Sequence, residues 1–328
     1  MKKKSKLKIV TVGGGTGSSV MLFGLKKYTD NITAIVTVAD DGGGSGILRE
    51  DLGMLPPGDI RACLIALSNS ENDMEKLLGY RFGENCGRLA GQSFGNLFLA
   101  ALNGVYGDFE IGLKEASKVL AITGKVLPMT LDDVVLYAEL EDGSIIEGES
   151  NITFLTRKSG GRIKRVYLEP ELSTAPFESM EEIKNADIII LGPGSLYTSV
   201  MPNLLVNDIR EAIMKSNAIK LYICNVMTQT GETDGYSPYD HLNAIVSHCD
   251  NNFIDYIFVN DTSIPEDVKL RYFYKDSSVP VYIDDEEETK IENMGTKVVR
   301  GNFIDIKHAY IRHNSDEVSK KIIELFDK

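Results

Sequence analysis

Residues 12–17 read Val-Gly-Gly-Gly-Thr-Gly, at the end of a β-rich run and just ahead of Val20, Met21, Leu22 and Leu25, which share one helical face. Gly13, Gly14, Gly15 and Gly17 let the backbone approach a ligand closely, Thr16 adds a hydroxyl, and the free N–H groups at the start of the next helix suit a phosphate. The stretch is not a P-loop, because no Lys-Ser/Thr follows at the required offset. As a dinucleotide fingerprint it is incomplete: with Gly13 and Gly15 as the first pair, the third glycine position holds Ser18. Asp40, at the tip of the following strand, is placed to hold a ribose hydroxyl, which keeps a NAD-dependent dehydrogenase open.

Other residues that could do chemistry follow the same strand-then-loop logic. Asp40 and Asp41 end a strand at the edge where open α/β sheets bind ligands, and either is a candidate for a Mg²⁺ ligand or a proton acceptor; turn chemistry before glycine is the alternative. Leu191 to Ser199 repeats the first loop, with Gly192 and Gly194 in a Gly-Pro-Gly turn and hydroxyls at Ser195, Thr198 and Ser199. Two such loops on one sheet edge would share a cleft, and a cleft with two anion-binding ends suits a diphosphate-bridged ligand better than a single phosphate. Asn225, Thr228, Gln229 and Thr230 add neutral groups of the kind that read sugar hydroxyls or a base edge. Gly91 to Asn96 is a further polar entry to a helix, with Asn96 as its contribution to the site, and Arg61 opens another helix as either a phosphate contact or a structural ion pair. Nucleophilic machinery is lacking: His241, His248, His308 and His313 read as surface or cap residues, and neither a Gly-x-Ser-x-Gly elbow nor a His-Glu-x-x-His pair occurs. Cys63, Cys86, Cys224 and Cys249 form no Cys-x-x-Cys pair, which removes the usual zinc and redox spacings.

The elements that would position these residues alternate strand and helix. Strands are expected at Leu7–Val12 and Ile32–Val38, a second glycine loop at Gly42–Gly46, and helices at Ile60–Leu67, Asn96–Leu102 and Phe109–Leu120, with Asp59 and Asp108 as N-caps. From Val134 the period changes to that of a hairpin, Val134–Leu140 and Ser144–Ser150 around Asp142-Gly143, with a third strand at Arg162–Leu168. The strand and helix rhythm then resumes to a last helix at Ser315–Phe326, entered through Asn314 and Glu317. These elements predict a Rossmann-like, doubly wound, mainly parallel α/β sheet. The chain reads as a single domain over 1–328, with 1–124 and 171–328 as the core and 125–170 as an inserted β-hairpin subdomain. The acidic run Asp284–Glu288 reads as a solvated surface segment.

Composition narrows the function classes. With 43% apolar and 25% charged residues the chain is an ordinary globule, and 35 basic against 48 acidic side chains give −13, a balance unsuited to coating nucleic acid or anionic membrane. The apolar run after the N-terminal lysines is too short for a signal peptide and no window of 18 apolar residues occurs, so a cytosolic protein without membrane insertion is expected.

The motifs also have a resemblance. Val12–Gly17, Thr37–Gly43 (TVADDGG), Pro56–Arg61 (PPGDIR), Gly192–Ser199 (GPGSLYTS) and Asn225–Tyr236 (NVMTQTGETDGY), in this order and across most of the chain, resemble the gluconeogenesis factor, or YvcK-like, group of the CofD-like superfamily. One departure is Gly44, where that group more often has Ser. The resemblance implies a CofD-like domain that binds a UDP-sugar such as UDP-N-acetylglucosamine. It further implies a regulator of cell shape and wall-precursor supply under gluconeogenic growth, acting on a wall-precursor biosynthetic enzyme, as a homodimer. By resemblance Gly13–Gly17 and Gly192–Ser195 hold phosphates, while Tyr272 and Arg312 contact the nucleotide. The superfamily's enzymatic branch implies the alternative, a 2-phospho-L-lactate transferase-like reaction on a nucleotide-diphosphate donor with Mg²⁺ at Asp40 or Asp41. Arg312 also has a reason of its own, since it precedes the final helix and a cation and a helix end would converge on an anion.

Overall fold

Apolar strands buried on both faces run side by side through the middle of the molecule. The computed structural model describes residues 4–69, 72–307 and 310–327. In chain order its strands are β1 (Ile9–Gly13), β2 (Ile32–Val36), β3 (Lys125–Pro128), β4 (Val135–Leu140), β5 (Ile145–Glu147) and β6 (Ile163–Glu169). They continue with β7 (Ile188–Leu191), β8 (Ile219–Ile223), β9 (Tyr256–Asn260), β10 (Lys297–Gly301), β11 (Ile304–Lys307) and β12 (Tyr310–His313). Seven form one parallel sheet in the order β10-β9-β8-β7-β1-β2-β3. Every residue of β1 (IVTVG) and β7 (IIIL) is buried, as a sheet covered by helices on both faces requires. Val12 pairs with Ile35 on one side and with Leu191 on the other. The expected mainly parallel α/β architecture is therefore the architecture found.

The order of the strands places the site. From β1 the chain winds outward to β2 and β3, then returns to the opposite flank of β1 as β7 and winds outward again to β8, β9 and β10. The connections after β1 and β7 thus lead to opposite flanks of the sheet, and the carboxyl edge at such a switch point is where open α/β sheets receive ligands. Helix Gly15–Leu25 follows β1 directly; its buried Met21, Leu22 and Leu25 seat it on the core. The final helix, Ser315–Phe326, packs along it, and a Cβ on Gly24 would come within 2.7 Å of the Ser315 backbone, so the contact needs a glycine.

Residues 125–170 depart from the hairpin expected of them. Lys125–Pro128 is a strand of the main sheet, β3 beside β2. The Asp142-Gly143 hairpin is present, and β4 pairs antiparallel with both β5 and β6. After Glu147, however, Gly148 takes φ +92°, open to glycine, and turns the chain into a helix, Glu149–Ser159. β-branched Ile152, Thr153 and Thr156 mask its period, yet Ile152 and Thr156, four apart, are its buried face. Leu136, Ala138, Ile152 and Val166 belong to the same apolar cluster as the main sheet.

Other corrections are local. Gly42–Gly46 is not a loop, because Gly43–Leu52 is helical with Gly42 as its N-cap. Asp59 is not an N-cap; the helix begins at Gly58 after Pro57, which carries Asp59 inside the first turn and into the interior. Asp108 does cap, accepting the Ile111 N–H at 2.8 Å. Asn314 caps the last helix by accepting the Glu317 N–H at 3.2 Å. Asp284–Glu288 is surface, as expected, and takes helical form: Asp284 caps helix Asp285–Asn293, and Arg300 pairs with Asp285 and Glu288. Among the described residues no helix is long and apolar enough to cross a membrane.

Candidate functional site

The loops after β1 and β7 pack on each other through bare backbone. A Cβ on Gly17 would press on the Pro193 carbonyl, 2.6 Å from its carbon and 2.8 Å from the Gly194 nitrogen; one on Gly194 would lie 3.3 Å from the Gly14 oxygen. Two amides stitch the loops in place. Buried Asn203 donates to the Gly13 and Ser199 carbonyls at 3.2 and 2.8 Å, and Asn225, on the loop after β8, donates to the Gly194 carbonyl at 2.8 Å. Gly14, as N-cap of helix Gly15–Leu25, supplies no capping side chain, and the helix's first turn has no acidic residue. Asp59, from a neighbouring helix, takes the Gly15 N–H, and the first-turn N–H groups beyond it are left to attract an anion.

These loops open onto a cavity of about 670 Å³, within the usual range for a bound small molecule. Gly14–Gly17, Pro193–Ser195 with Thr198 and Ser199, and Asn225–Thr230 line one side. Glu149, Thr153 and Arg157 of helix Glu149–Ser159, Tyr272 and Asp276 of helix Glu266–Asp276, and Ile311–His313 of β12 line the other. Tyr272 is fixed by accepting the Ile311 N–H at 2.7 Å on its hydroxyl. Arg312 is exposed, its guanidinium 5.7 Å from the Tyr310 ring. Across the mouth, Arg157 stands 3.9 Å from Asp276.

Four carboxyl groups gather beneath and beside the loops. Asp59 accepts the Gly15 N–H; burial, and then the charge of Asp40, push its pKa to about 6. Glu149 is raised to about 8 by burial, with Asp40, Glu232 and Asp59 adding to the shift and a bond to the Thr198 hydroxyl opposing it. Glu232, a buried residue of the cavity lining, is also raised, first by burial, although Ser195, Thr153 and the Tyr197 N–H all bond to it.

Most of the site residues expected from sequence converge: Gly14, Gly15, Thr16, Gly17, Gly194, Ser195, Asn225, Thr230, Tyr272 and Arg312 all line the cavity. Gly13 and Gly192 stand directly behind, at the strand ends. Thr230 points its hydroxyl at the Asp276 carbonyl, so its proton is committed within the protein. Asp40 and Asp41 do not line the cavity. Asp40 accepts the Gly42 N–H at 2.9 Å, and Asp41 accepts the Ser150 N–H at 2.9 Å, tying the β2 loop to helix Glu149–Ser159. Asn96 lies inside a helix away from the cavity, and Arg61 donates to Ser93, the N-cap of that helix.

The histidines differ from expectation in burial. His241 is fully buried with its pKa lowered to about 4, and His248 accepts the Val166 N–H at 3.0 Å, so both are neutral packing residues. His313 lines the cavity with its Nε2 3.0 Å from the Cys224 carbonyl, and burial lowers it to about 4. His308 lies outside the described residues.

Sequence reasoning missed Asp59, Glu149, Thr153, Arg157 and Glu232. A signal for the middle three was present, since positions 149, 153 and 157 recur at four-residue spacing and share a helix face. The family model for CofD, described as 2-phospho-L-lactate transferase, matches residues 9–304. A Halalkalibacterium halodurans protein named gluconeogenesis factor is 49% identical over 324 residues, covering 99% of this chain and 97% of that one. A Bacillus subtilis protein of the same name is 48% identical over 320 residues, 98% of each chain. A crystal structure of a UPF0052 family protein from Bacillus halodurans superposes with a TM-score of 0.91 at 49% identity, over 97% of this chain and 100% of that chain.

Proposed function

This chain belongs to the CofD family, and from that premise we propose that it binds a UDP-sugar of the UDP-N-acetylglucosamine type and acts as a gluconeogenesis factor, a regulator rather than a catalyst. The observation that carries the reading is the packing of Gly14–Gly17 against Pro193 and Gly194 at the β1/β7 switch point, on one cavity. One end offers the first-turn N–H groups beyond Gly15 to a phosphate, and the other offers the Ser199 hydroxyl, so a diphosphate bridging the loops meets donors on both sides. Tyr272 and Arg312 line the same cavity and suit a base or ribose.

The regulatory half of the proposal rests on the names of the relatives, together with a cavity whose histidine, His313, is held neutral by burial. In a cell the protein would act in the cytoplasm, as a homodimer, passing the level of a wall precursor to a biosynthetic enzyme and so supporting cell shape on gluconeogenic carbon. Titration calorimetry with UDP-N-acetylglucosamine, UDP-glucose, GDP and NAD tests the ligand. Binding of the UDP-sugars is expected; tight NAD binding without them would remove the proposal in favour of a dehydrogenase.

The transferase reading is favoured by the description of the family model. It would place Mg²⁺ at Asp40 and Asp41, but neither lines the cavity, and each has one oxygen bonded to a backbone N–H. Among the described residues no group of three or more His, Cys, Asp or Glu could hold a metal. That pair does not fit a cation working on a ligand in the cavity. Product formation from a nucleotide-diphosphate donor, lost in Asp41→Asn, would reinstate the transferase.

A further inference from the structure

Each histidine among the described residues has one ring nitrogen on a backbone carbonyl: His241 and His248 through Nδ1, on Ser237 and Ala244, and His313 through Nε2, on Cys224. Their second nitrogens differ. That of His248 accepts the Val166 N–H, and that of His241 is sealed in the interior without a partner. His313 Nδ1 has no hydrogen-bond partner among the described residues and is not sealed in; its ring belongs to a half-buried residue of the cavity lining. The tautomer follows from the side that is fixed. A carbonyl oxygen has no proton to give, so at 3.0 Å from the Cys224 oxygen the proton sits on Nε2. With the imidazole neutral through burial, Nδ1 is left as a bare acceptor.

The neighbours of this acceptor in the chain suit a flat heterocycle. Ile311 precedes His313 by two in β12 and so shares its face of the strand. Val226 and Met227 follow directly on the segment whose carbonyl holds the ring, and Val20 comes from helix Gly15–Leu25; all four apolar side chains line the cavity. Side chains of this kind cover the faces of a ring and leave its polar edge to a small number of placed groups. We propose that His313 is the specificity-determining residue for the base, accepting the N3–H of a uracil on Nδ1. The inference rests on the proposed function, which supplies the uridine diphosphate. Uracil carries a proton at N3, whereas cytosine has a lone pair there, so two acceptors would face each other and Nδ1 would go unpaired. The cytosine amine lies to one side of N3, and a base tethered through ribose to phosphates on the β1 and β7 loops resists the slide that would bring that amine into line. A ribose hydroxyl at Nδ1 would serve every nucleotide equally, so discrimination between bases separates the two occupants.

Calorimetry on the unsubstituted protein with UDP, CDP and 3-methyl-UDP reads the base directly. UDP should bind about tenfold or more tightly than either of the others, the scale for leaving a polar group of the site unpaired. CDP or 3-methyl-UDP binding as well as UDP would overturn the inference. In His313→Leu the preference for UDP over CDP should disappear, a ratio that a merely structural role would not move; a ratio kept at its unsubstituted value overturns the assignment to this residue. Nitrogen NMR on ¹⁵N-histidine-labelled, unsubstituted protein adds a readout that needs no variant. Without ligand, His313 should carry its proton on Nε2 with Nδ1 bare, and UDP should shift the Nδ1 resonance upfield as that nitrogen accepts a hydrogen bond. A proton on Nδ1 in the free protein, or an Nδ1 that UDP leaves unmoved, sinks the inference. Binding of neither UDP nor UDP-N-acetylglucosamine overturns the proposed function itself, whereas equal affinity for UDP and CDP overturns the role of His313 alone.

Discussion

Replacing Gly17 by alanine probes the contact between the β1 and β7 loops at its tightest point. The added methyl would meet the Pro193 carbonyl group and come within 2.8 Å of the Gly194 nitrogen. Every one of these atoms is backbone, so no side-chain rotation relieves the overlap and the loops must separate. Overpacking of this kind costs about 1–3 kcal/mol. Gly17 sits in the first turn of a helix, where alanine recovers at most about 1 kcal/mol of propensity. With the whole of that recovered, a net loss of up to about 2 kcal/mol remains. Gly104→Ala supplies the control: it lies in helix Phe94–Tyr106 with open space around the new methyl, and should gain about 0.5–1 kcal/mol. Urea unfolding followed by circular dichroism gives both values, and calorimetry on the same samples should show weaker UDP-sugar binding only in Gly17→Ala. Equal stability and equal affinity in the two variants would refute the reasoning, because the loops could then not be in contact.

Two further substitutions address single groups. Arg312→Ala should weaken UDP-sugar binding by about 1–3 kcal/mol, the scale for losing a hydrogen bond to a charged group, with little effect on folding because the side chain is exposed; unchanged affinity would put Arg312 outside the site. Asp59 holds its proton more tightly when folded, at about 6, than at the ordinary 3.8, so its ionised form burdens the folded state above about pH 6 and the burden is relieved as pH falls toward 3.8. Asp59→Asn should therefore raise stability by about 1–3 kcal/mol at neutral pH and give no such gain near pH 4. Unfolding curves at the two pH values measure the difference, and a gain that is the same at both would contradict the assigned burial.

The frame of the molecule was legible because its signals are local. Uninterrupted runs such as Ile188–Leu191 and glycine loops directly after them specify buried parallel strands and their carboxyl edge, and both loops were readable before their contact was known. The helix Glu149–Ser159 was not, because a hairpin period carried past Glu147 and β-branched residues concealed the turn that Gly148 makes. With that helix went one wall of the cavity. The carboxyls were misjudged for a related reason. Asp40 and Asp41 carry a conspicuous sequence signature but lie outside the cavity, each with one oxygen on a backbone N–H, whereas Asp59 and Glu232 look unremarkable in sequence and acquire their raised pKa chiefly from burial. Burial of a single side chain depends on how distant segments pack, and no local pattern records it.

A crystal structure of the protein grown with UDP-N-acetylglucosamine tests the central claim most directly. The claim predicts the diphosphate between Gly14–Gly17 and Gly194–Ser199, with the uridine toward Tyr272 and Arg312. A nucleotide bound elsewhere, or one whose phosphates leave those two loops untouched, would contradict it.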